Sequence, residues 1–195
     1  MKIGDVFNNI PELRTERTII RKFKIADLQD MFEYCSDDEV AQYTTWNAHR
    51  NILNTEEFLH YVLRKYENNE VAPWGIEDRK SGKLIGSCGF VSWEPEHSKA
   101  ELGYVLSKEY WGRGYITESV GKVIEYGFES MLLERIEAKC HPDNIGSFKV
   151  MEKVGMTYEG ILRSYIYVKG KHQDVKMYSI TKKEFESKFG KGICN

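Results

Sequence analysis

The sequence predicts a single domain with a mixed α/β fold, α+β in arrangement, built around a central sheet. Some segments alternate apolar and polar residues with a period of two, whereas others repeat apolar residues at helical spacing. The two kinds of segment follow one another along the chain. Its 195 residues contain four prolines and no internal repeat or low-complexity tract that would mark a linker. We therefore expect one domain spanning residues 1–195.

The elements follow in order from these patterns and from turn signals between them. The predicted strands are residues 18–23, 74–78, 83–93, 100–106, 135–140, 156–168 and 174–181. The predicted helices are residues 26–35, a helix capped by Asn54 or Thr55 that runs through Tyr66, residues 116–131, and a short helix from Asp143 or Asn144 to Gly155. The polar tail predicts one further weak helix. A hairpin turn is expected at residues 169–170, between the last two strands.

Composition excludes several classes of partner. Lys and Arg total 28 against 30 Asp and Glu, so a net charge of −2 gives no general attraction to nucleic acid or an anionic membrane. The sequence has no stretch of about 18 apolar residues, the length needed to span a bilayer, and its first ten residues lack the apolar run of a signal peptide. Cys35, Cys88, Cys140 and Cys194 form no C-x-x-C pair, and the histidines lack metal-ligand spacing. We expect a cytoplasmic protein without a metal.

The most informative segment joins the strand at residues 100–106 to the next helix, where the chain reads Tyr-Trp-Gly-Arg-Gly-Tyr-Ile-Thr-Glu over residues 110–118. Gly112 and Gly114 let successive backbone N–H groups converge, and the helix start adds unpaired donors and a positive dipole. The dipole contributes only about 0.3–1 kcal/mol per charge, so several amides and Arg113 must supply most of the binding. The segment predicts a polyphosphate site, although a tight turn explains two glycines equally well.

The type of phosphate ligand is narrowed by what the segment lacks. It has neither the third glycine of a dinucleotide fingerprint nor the Gly-Lys-Ser/Thr of a P-loop. In contrast, three ordered motifs resemble the GNAT acetyltransferase family, and in particular the ribosomal-protein N-terminal acetyltransferases of the Rim type. These motifs are Glu-Leu-Gly-Tyr at residues 101–104, the segment at 110–118, and Asn144-x-x-Ser147 followed by Glu-Lys-x-Gly at 152–155.

The resemblance implies a GNAT fold of about seven strands and four helices, with acetyl-CoA as co-substrate and no metal. Two parallel central strands, residues 100–106 and 135–140, would splay apart around the pantetheine arm. The cofactor contacts that it implies are the pyrophosphate cradle of Gly112, Arg113, Gly114, Ile116 and Thr117, pantetheine contacts from Val105 and Ser107, and a further contact from Asn144. Trp111 departs from the family's Gln or Arg at the first position of the loop, and Ile116 departs from its Gly or Ala at the last. Asn144 could equally be an ordinary helix cap.

The transfer chemistry needs a base near the amine and a proton for the departing thiolate. Glu101 is the expected base, because it is an unpaired carboxylate on an otherwise apolar strand at the predicted splay. Many GNAT enzymes have a tyrosine that acts as the general acid where this chain has Met151, so the usual acid is absent. The resemblance instead points to Ser147 as the group that protonates or solvates the thiolate.

We expect an N-acetyltransferase that acts on a primary amine in a ternary complex, with the α-amine of a protein such as a ribosomal protein as the first choice. An α-amine has a pKa near 8, whereas neutralising a lysine of pKa about 10.4 at pH 7 costs about 4 kcal/mol. The alternatives are transfer to a small amine (polyamine, aminoglycoside or amino acid) and a non-catalytic acyl-CoA sensor. Tyr43, Tyr165 and Tyr167 could line the acceptor groove or simply pack in the sheet.

Overall fold

The structure is a computed structural model that describes residues 6–8 and 10–190. Over residues 10–190 the strands are β1 (Leu13–Arg14), β2 (Thr18–Arg21), β3 (Trp74–Asp78), β4 (Leu84–Glu94), β5 (Lys99–Leu106), β6 (Arg135–Cys140), β7 (Thr157–Val168) and β8 (Lys171–Thr181). The α-helices of this range are α1 (Leu28–Cys35), α2 (Asp38–Ala41), α3 (Ile52–Glu67), α4 (Tyr115–Glu129), α5 (Ile145–Lys153) and α6 (Lys182–Phe189).

The strands form one mixed sheet in the order β1-β2-β3-β4-β5-β6-β8-β7. The β5 and β6 strands are parallel, whereas the other neighbouring strands run antiparallel. This arrangement confirms the predicted fold class, including the parallel pair at residues 100–106 and 135–140. It also confirms the meander from β3 to β5 and the hairpin of β7 and β8.

The parallel pair separates before either strand ends. Its register runs from Lys99 opposite Arg135 to Leu102 opposite Ala138. Beyond that point β5 continues to Leu106, still paired with β4, and β6 continues to Cys140, still paired with β8. The two strands therefore diverge and leave a cleft in the middle of the sheet.

Helix α4 connects β5 to β6 and packs closely on the sheet. Its buried face includes Val123, Ile124 and Phe128. A Cβ atom on Gly127 would lie 2.9 Å from both Ile136 Cδ1 and Phe90 Cζ, so a glycine is required where the helix meets the sheet. This close packing fixes α4 against the sheet, and the helix starts at Tyr115, after the loop that follows the carboxyl end of β5.

Several boundaries differ from the sequence prediction for identifiable reasons. Helix α3 begins at Ile52, because the side chain of Asn51, and not Asn54 or Thr55, accepts the capping bond from the Asn54 N–H. Its first-turn residues Ile52 and Leu53 are exposed, so they lie outside the apolar stripe that marked the helix. The prediction also missed β1 and α2, which have two and four residues and are too short to show a period.

Other predictions concern the two ends of α5, the start of β8, the cysteines and membrane spans. The predicted left-handed end of α5 is confirmed, since Gly155 has φ of 88°. The expected cap of α5 is Asn144, whose side chain accepts a bond from the Ser147 N–H. Strand β8 begins at Lys171, three residues before its predicted start.

Cys35, Cys88 and Cys140 are buried free thiols, and the expectation for Cys194 lies outside the described residues. Within residues 6–8 and 10–190, no helix is long and apolar enough to cross a bilayer.

Candidate active site

The loop between β5 and α4 has the backbone geometry of an anion-binding site. Gly112 and Gly114 have φ values of 71° and 84°, in the left-handed region that favours glycine. Gly114 is the N-cap of α4 and, because it has no side chain, leaves the first N–H groups of the helix without a side-chain cap. The first bond of the helix runs from the Glu118 N–H to the Gly114 carbonyl, at 3.1 Å. The N–H groups of residues 115–117 therefore have no partner within the helix and are available to a ligand.

Two arginine side chains flank this loop. Arg113 is exposed, and its guanidinium lies 5.4 Å from the ring centroids of both Tyr110 and Tyr115. The Arg17 guanidinium lies 4.6 Å from the centroid of the Tyr115 ring. Its Nη1 donates to the Arg113 carbonyl at 2.8 Å. Sequence reasoning missed Arg17, because it lies about a hundred residues before the loop, in the turn between β1 and β2.

The cleft edge of β5 presents alternate residues to the opening. The Ser107 N–H donates to the Ile85 carbonyl of β4 at 2.7 Å, so it points away from the cleft. Because N–H groups alternate along a strand, that of Val105 faces β4 as well, whereas those of Tyr104 and Leu106 face the cleft. The Leu106 carbonyl also faces away from β4 and accepts from the Trp111 indole at 2.8 Å. A ligand in the cleft would therefore meet the backbone of Tyr104 and Leu106.

Glu101 is placed at the divergence of β5 and β6, but it is not the unpaired carboxylate that the sequence suggested. Its Oε2 lies 2.8 Å from Nζ of Lys139, which also donates to the Tyr165 hydroxyl at 3.0 Å. Burial lowers the pKa of Lys139, but the bonds to Glu101 and Tyr165 outweigh it and leave that pKa raised. Lys139 is therefore a cation, and the acidic group on this face of the sheet is one half of an ion pair. The pairing was missed because Lys139 belongs to the neighbouring strand.

A pair of hydroxyl groups occupies the opposite face of β5. The Tyr104 hydroxyl lies 3.0 Å from Ser147 Oγ and donates to the Ser147 carbonyl at 2.9 Å. Asn144 holds the same turn, since its Oδ1 accepts from the Ser147 N–H at 3.1 Å. Burial raises the pKa of Tyr104, and the bond with Ser147 offsets only part of that rise. The phenol is therefore a protonated donor at neutral pH. Met151, at the position where the sequence resemblance implies a tyrosine in many relatives, is buried and supplies no proton.

The Cys140 thiol lies at the end of β6 near these hydroxyls. Burial raises its pKa to about 11, although Lys176 and a bond with Ser147 act in the opposite direction. Because the reactive form of cysteine is the thiolate, this thiol is a weak nucleophile at neutral pH. Among residues 6–8 and 10–190, no group of three His, Cys, Asp or Glu side chains is arranged to hold a metal ion.

A small pocket of about 140 Å³ opens on the Glu101 face of the sheet. It lies between the segment after α2, Glu101 of β5, the end of β6, and the β7–β8 hairpin. Tyr43 and Tyr165 line it, as the sequence suggested, together with Glu101 and Lys139. Lys169 at the hairpin tip donates to the Ala41 carbonyl at 2.6 Å, which joins the two walls. The structure thus brings the predicted base and two of the candidate tyrosines together in one cavity.

Comparison with known proteins agrees with this geometry. The acetyltransferase (GNAT) domain model matches residues 17–157. An uncharacterized N-acetyltransferase, p20 of Bacillus licheniformis, is 34% identical over 173 residues, which are 89% of this chain and 97% of that protein. The crystal structure of a GNAT-family acetyltransferase from Bacillus anthracis has a TM-score of 0.79 at 30% identity and covers 89% of this chain and 99% of that one. The ribosomal-protein-serine acetyltransferase of Escherichia coli is 32% identical over 100 residues, or 51% of this chain and 56% of that protein.

A sheet that diverges between two parallel strands, next to a glycine-rich loop at a helix start, is the architecture of an acyl-CoA-binding transferase. The match over residues 17–157 shows that the chain belongs to the GNAT acetyltransferase family. It is an acetyl-CoA-dependent acetyltransferase.

Proposed function

We propose that acetyl-CoA binds with its pyrophosphate on residues 112–117 and its pantetheine arm in the cleft between β5 and β6. The observation that carries this placement is that the β5–β6 ladder ends at Leu102 and Ala138, whereas β5 continues to Leu106 and leads into the glycine loop. Arg113 and the amides of Gly112, Gly114, Ile116 and Thr117 would hold the phosphates.

Strand alternation shifts the expected pantetheine contacts by one residue. The amides of the arm would pair with the backbone of Tyr104 and Leu106, as an added strand does, in place of Val105 and Ser107. Asn144 would not bind the pantetheine arm through Oδ1, since that oxygen already caps α5; it would instead hold the turn that carries Ser147. The whole chain would act as one GNAT domain.

The proposed acceptor is a primary amine that enters the Glu101 pocket. Lys139 engages Oε2 of Glu101, so Oε1 is the oxygen that would receive the amine proton, directly or through a water. We favour the α-amine of a protein such as a ribosomal protein, because an α-amine is already partly neutral at pH 7. The similarity to a ribosomal-protein-serine acetyltransferase supports this choice. Such an acceptor implies action in the cytoplasm.

The departing thiolate would leave toward the hydroxyl pair on the other face of β5. Ser147 Oγ would donate to the sulfur, while the Tyr104 hydroxyl turns its proton to Ser147 Oγ. Attack would thus occur on the Glu101 face and departure on the Ser147 face, which suits direct transfer in a ternary complex. This arrangement also argues against a purely sensory role, since Ser147 Oγ would be the donor in place of the tyrosine hydroxyl that is absent at Met151.

A small amine is the second candidate acceptor, and the volume of the pocket favours it. A cavity of about 140 Å³ is about the size that accepts a benzene-sized group, and Lys169 bridges its walls. A protein N-terminus would need only its first residue inside this cavity, whereas a small amino acid could fit largely within it and a polyamine could insert one of its amine ends. The two candidates therefore differ in what lies outside the pocket.

The test is a panel of acceptors under a thiol-release assay, with peptides that have free or blocked N-termini compared with polyamines, aminoglycosides and amino acids. Faster thiol release with the free peptides than with the other acceptors supports the first choice, and no thiol release with any peptide contradicts it. Glu101→Gln should abolish most turnover while acetyl-CoA affinity is retained. Glu94→Gln is the matched control, because Glu94 is an exposed carboxylate at the end of β4, paired with Lys99. Full turnover in Glu101→Gln would show that the base is misassigned.

A further inference from the structure

Arg17 is tied to the first turn of α4 by a dense set of bonds. Its Nε donates to Oε2 of Glu118 at 2.7 Å, its Nη2 lies 2.7 Å from the same oxygen, and its backbone N–H donates to Oε1 at 2.9 Å. Burial opposes ionisation of Glu118, but bonds from Thr15 and Arg17 outweigh it and lower the pKa of that carboxyl. The pair is therefore a fixed ionic contact between the turn of β1 and β2 and the helix.

The remaining guanidinium nitrogen of Arg17 reaches the glycine loop. Nη1 donates to the Arg113 carbonyl at 2.8 Å. The peptide bond between Arg113 and Gly114 is planar and trans, so its carbonyl and its N–H point in opposite directions. Holding the carbonyl on Arg17 therefore turns the Gly114 N–H away from Arg17. A Cβ atom at position 114 would lie 3.2 Å from Nη2, so glycine also makes room for this contact.

We propose that Arg17 is a positioning residue for acetyl-CoA, which presets the Arg113–Gly114 peptide so that its N–H group faces the pyrophosphate. This inference rests on the proposed pyrophosphate site at residues 112–117. Direct attraction is a weaker explanation, because Glu118 offsets the charge of Arg17 at contact distance. The contribution of Arg17 is the orientation of a neighbouring amide, which is a precondition for anion binding by a backbone loop.

The experiment compares two acetyl donors, of which only acetyl-CoA carries the pyrophosphate that the loop would hold. The dissociation constants of acetyl-CoA and of S-acetylpantetheine, which has no phosphate, are measured by calorimetry and ligand-observed NMR. Arg17→Ala should weaken acetyl-CoA binding by about tenfold, the loss expected for one charge-assisted contact, and change S-acetylpantetheine binding less than twofold. Arg14→Ala, a strongly exposed arginine on β1, is the control and should leave both values unchanged.

Glu118→Ala separates orientation from charge, because the two explanations predict opposite signs. Removing a carboxylate beside the loop would tighten acetyl-CoA binding if attraction by Arg17 were the cause. If Arg17 acts by orienting the peptide, losing its anchor weakens binding instead. Tighter binding in Glu118→Ala, or an equal loss for both donors in Arg17→Ala, overturns the inference.

Arg113→Ala distinguishes failure of this inference from failure of the proposed site. If Arg113→Ala weakens acetyl-CoA selectively and Arg17→Ala does not, the site stands and the positioning role is wrong. If neither variant alters the preference for acetyl-CoA over S-acetylpantetheine, both the site and the inference fail.

Discussion

The hydroxyl pair beneath the cleft offers a quantitative test of how the thiolate leaves. Tyr104→Phe removes the phenol that lies 3.0 Å from Ser147 Oγ and 2.9 Å from its carbonyl, with little change of shape. Ser147→Ala removes the hydroxyl that we propose faces the sulfur. Because Tyr104 would act only through Ser147, the two substitutions are expected to be coupled rather than independent.

The expected magnitudes follow from the kind of bond that each substitution removes. A bond to a charged group contributes about 1.5–3 kcal/mol, so Ser147→Ala should lower kcat by about 10- to 150-fold. A neutral bond contributes about 0.5–1.5 kcal/mol, so Tyr104→Phe should lower kcat by about 2- to 12-fold. If the phenol acts through the serine, the double variant should be no slower than Ser147→Ala alone.

The assay is single-turnover thiol release at saturating acetyl-CoA and acceptor, which isolates chemistry from product release. Urea unfolding of each variant controls for lost stability, since Tyr104 is largely buried. The raised pKa of Tyr104 adds a second readout, because a phenol that stays protonated should produce no fall in kcat between neutral pH and about pH 9. Additive effects in the double variant would refute the relay from Tyr104 to Ser147.

Three further outcomes test the loop and the sheet. Arg113→Ala should weaken acetyl-CoA by about tenfold or more in a calorimetric titration without altering the circular dichroism spectrum, because the side chain is exposed; unchanged affinity would contradict the phosphate site. Gly114→Ala should raise the KM for acetyl-CoA and destabilise the fold by about 1 kcal/mol or more, whereas Gly170→Ala, with φ of 79° and open space around it, should show only the conformational cost. Glu159→Gln should destabilise the fold by about 1 kcal/mol near pH 7, since bonds from Arg135 and then Ser179 lower the Glu159 pKa to about 2 while its side chain is 39% exposed. A lowered pKa stabilises the fold above the unfolded value and loses that effect as the pH falls, so the difference in urea unfolding should shrink to less than half near pH 3; a constant difference would refute the assignment.

The relation of sequence to site is clearest at the glycine loop. Two glycines before an amphipathic helix predict convergent amides, and the structure has both glycines at positive φ. Sequence pattern could not show that Arg17 holds the loop, because that contact joins two segments about a hundred residues apart. Similarly, it predicted Glu101 on β5 but not Lys139 beside it, since the register of neighbouring strands determines that pair.

The pantetheine edge shows a second limit. Periodicity identified the strand at residues 100–106, but not which of its N–H groups face the cleft. That choice depends on the hydrogen-bond register with β4, and one residue of difference exchanges Val105 and Ser107 for Tyr104 and Leu106.

What the sequence by itself determined is local. The order of strands and helices, the glycine loop, the cap at Asn144 and the family motifs all depend on residues within a few positions of one another. The tertiary structure alone decided the pairing of Glu101 with Lys139, the hydroxyl contact of Tyr104 with Ser147, and the tether from Arg17 to Glu118. The physical reason is that these bonds form between segments brought together by strand register and helix packing, which no local pattern encodes.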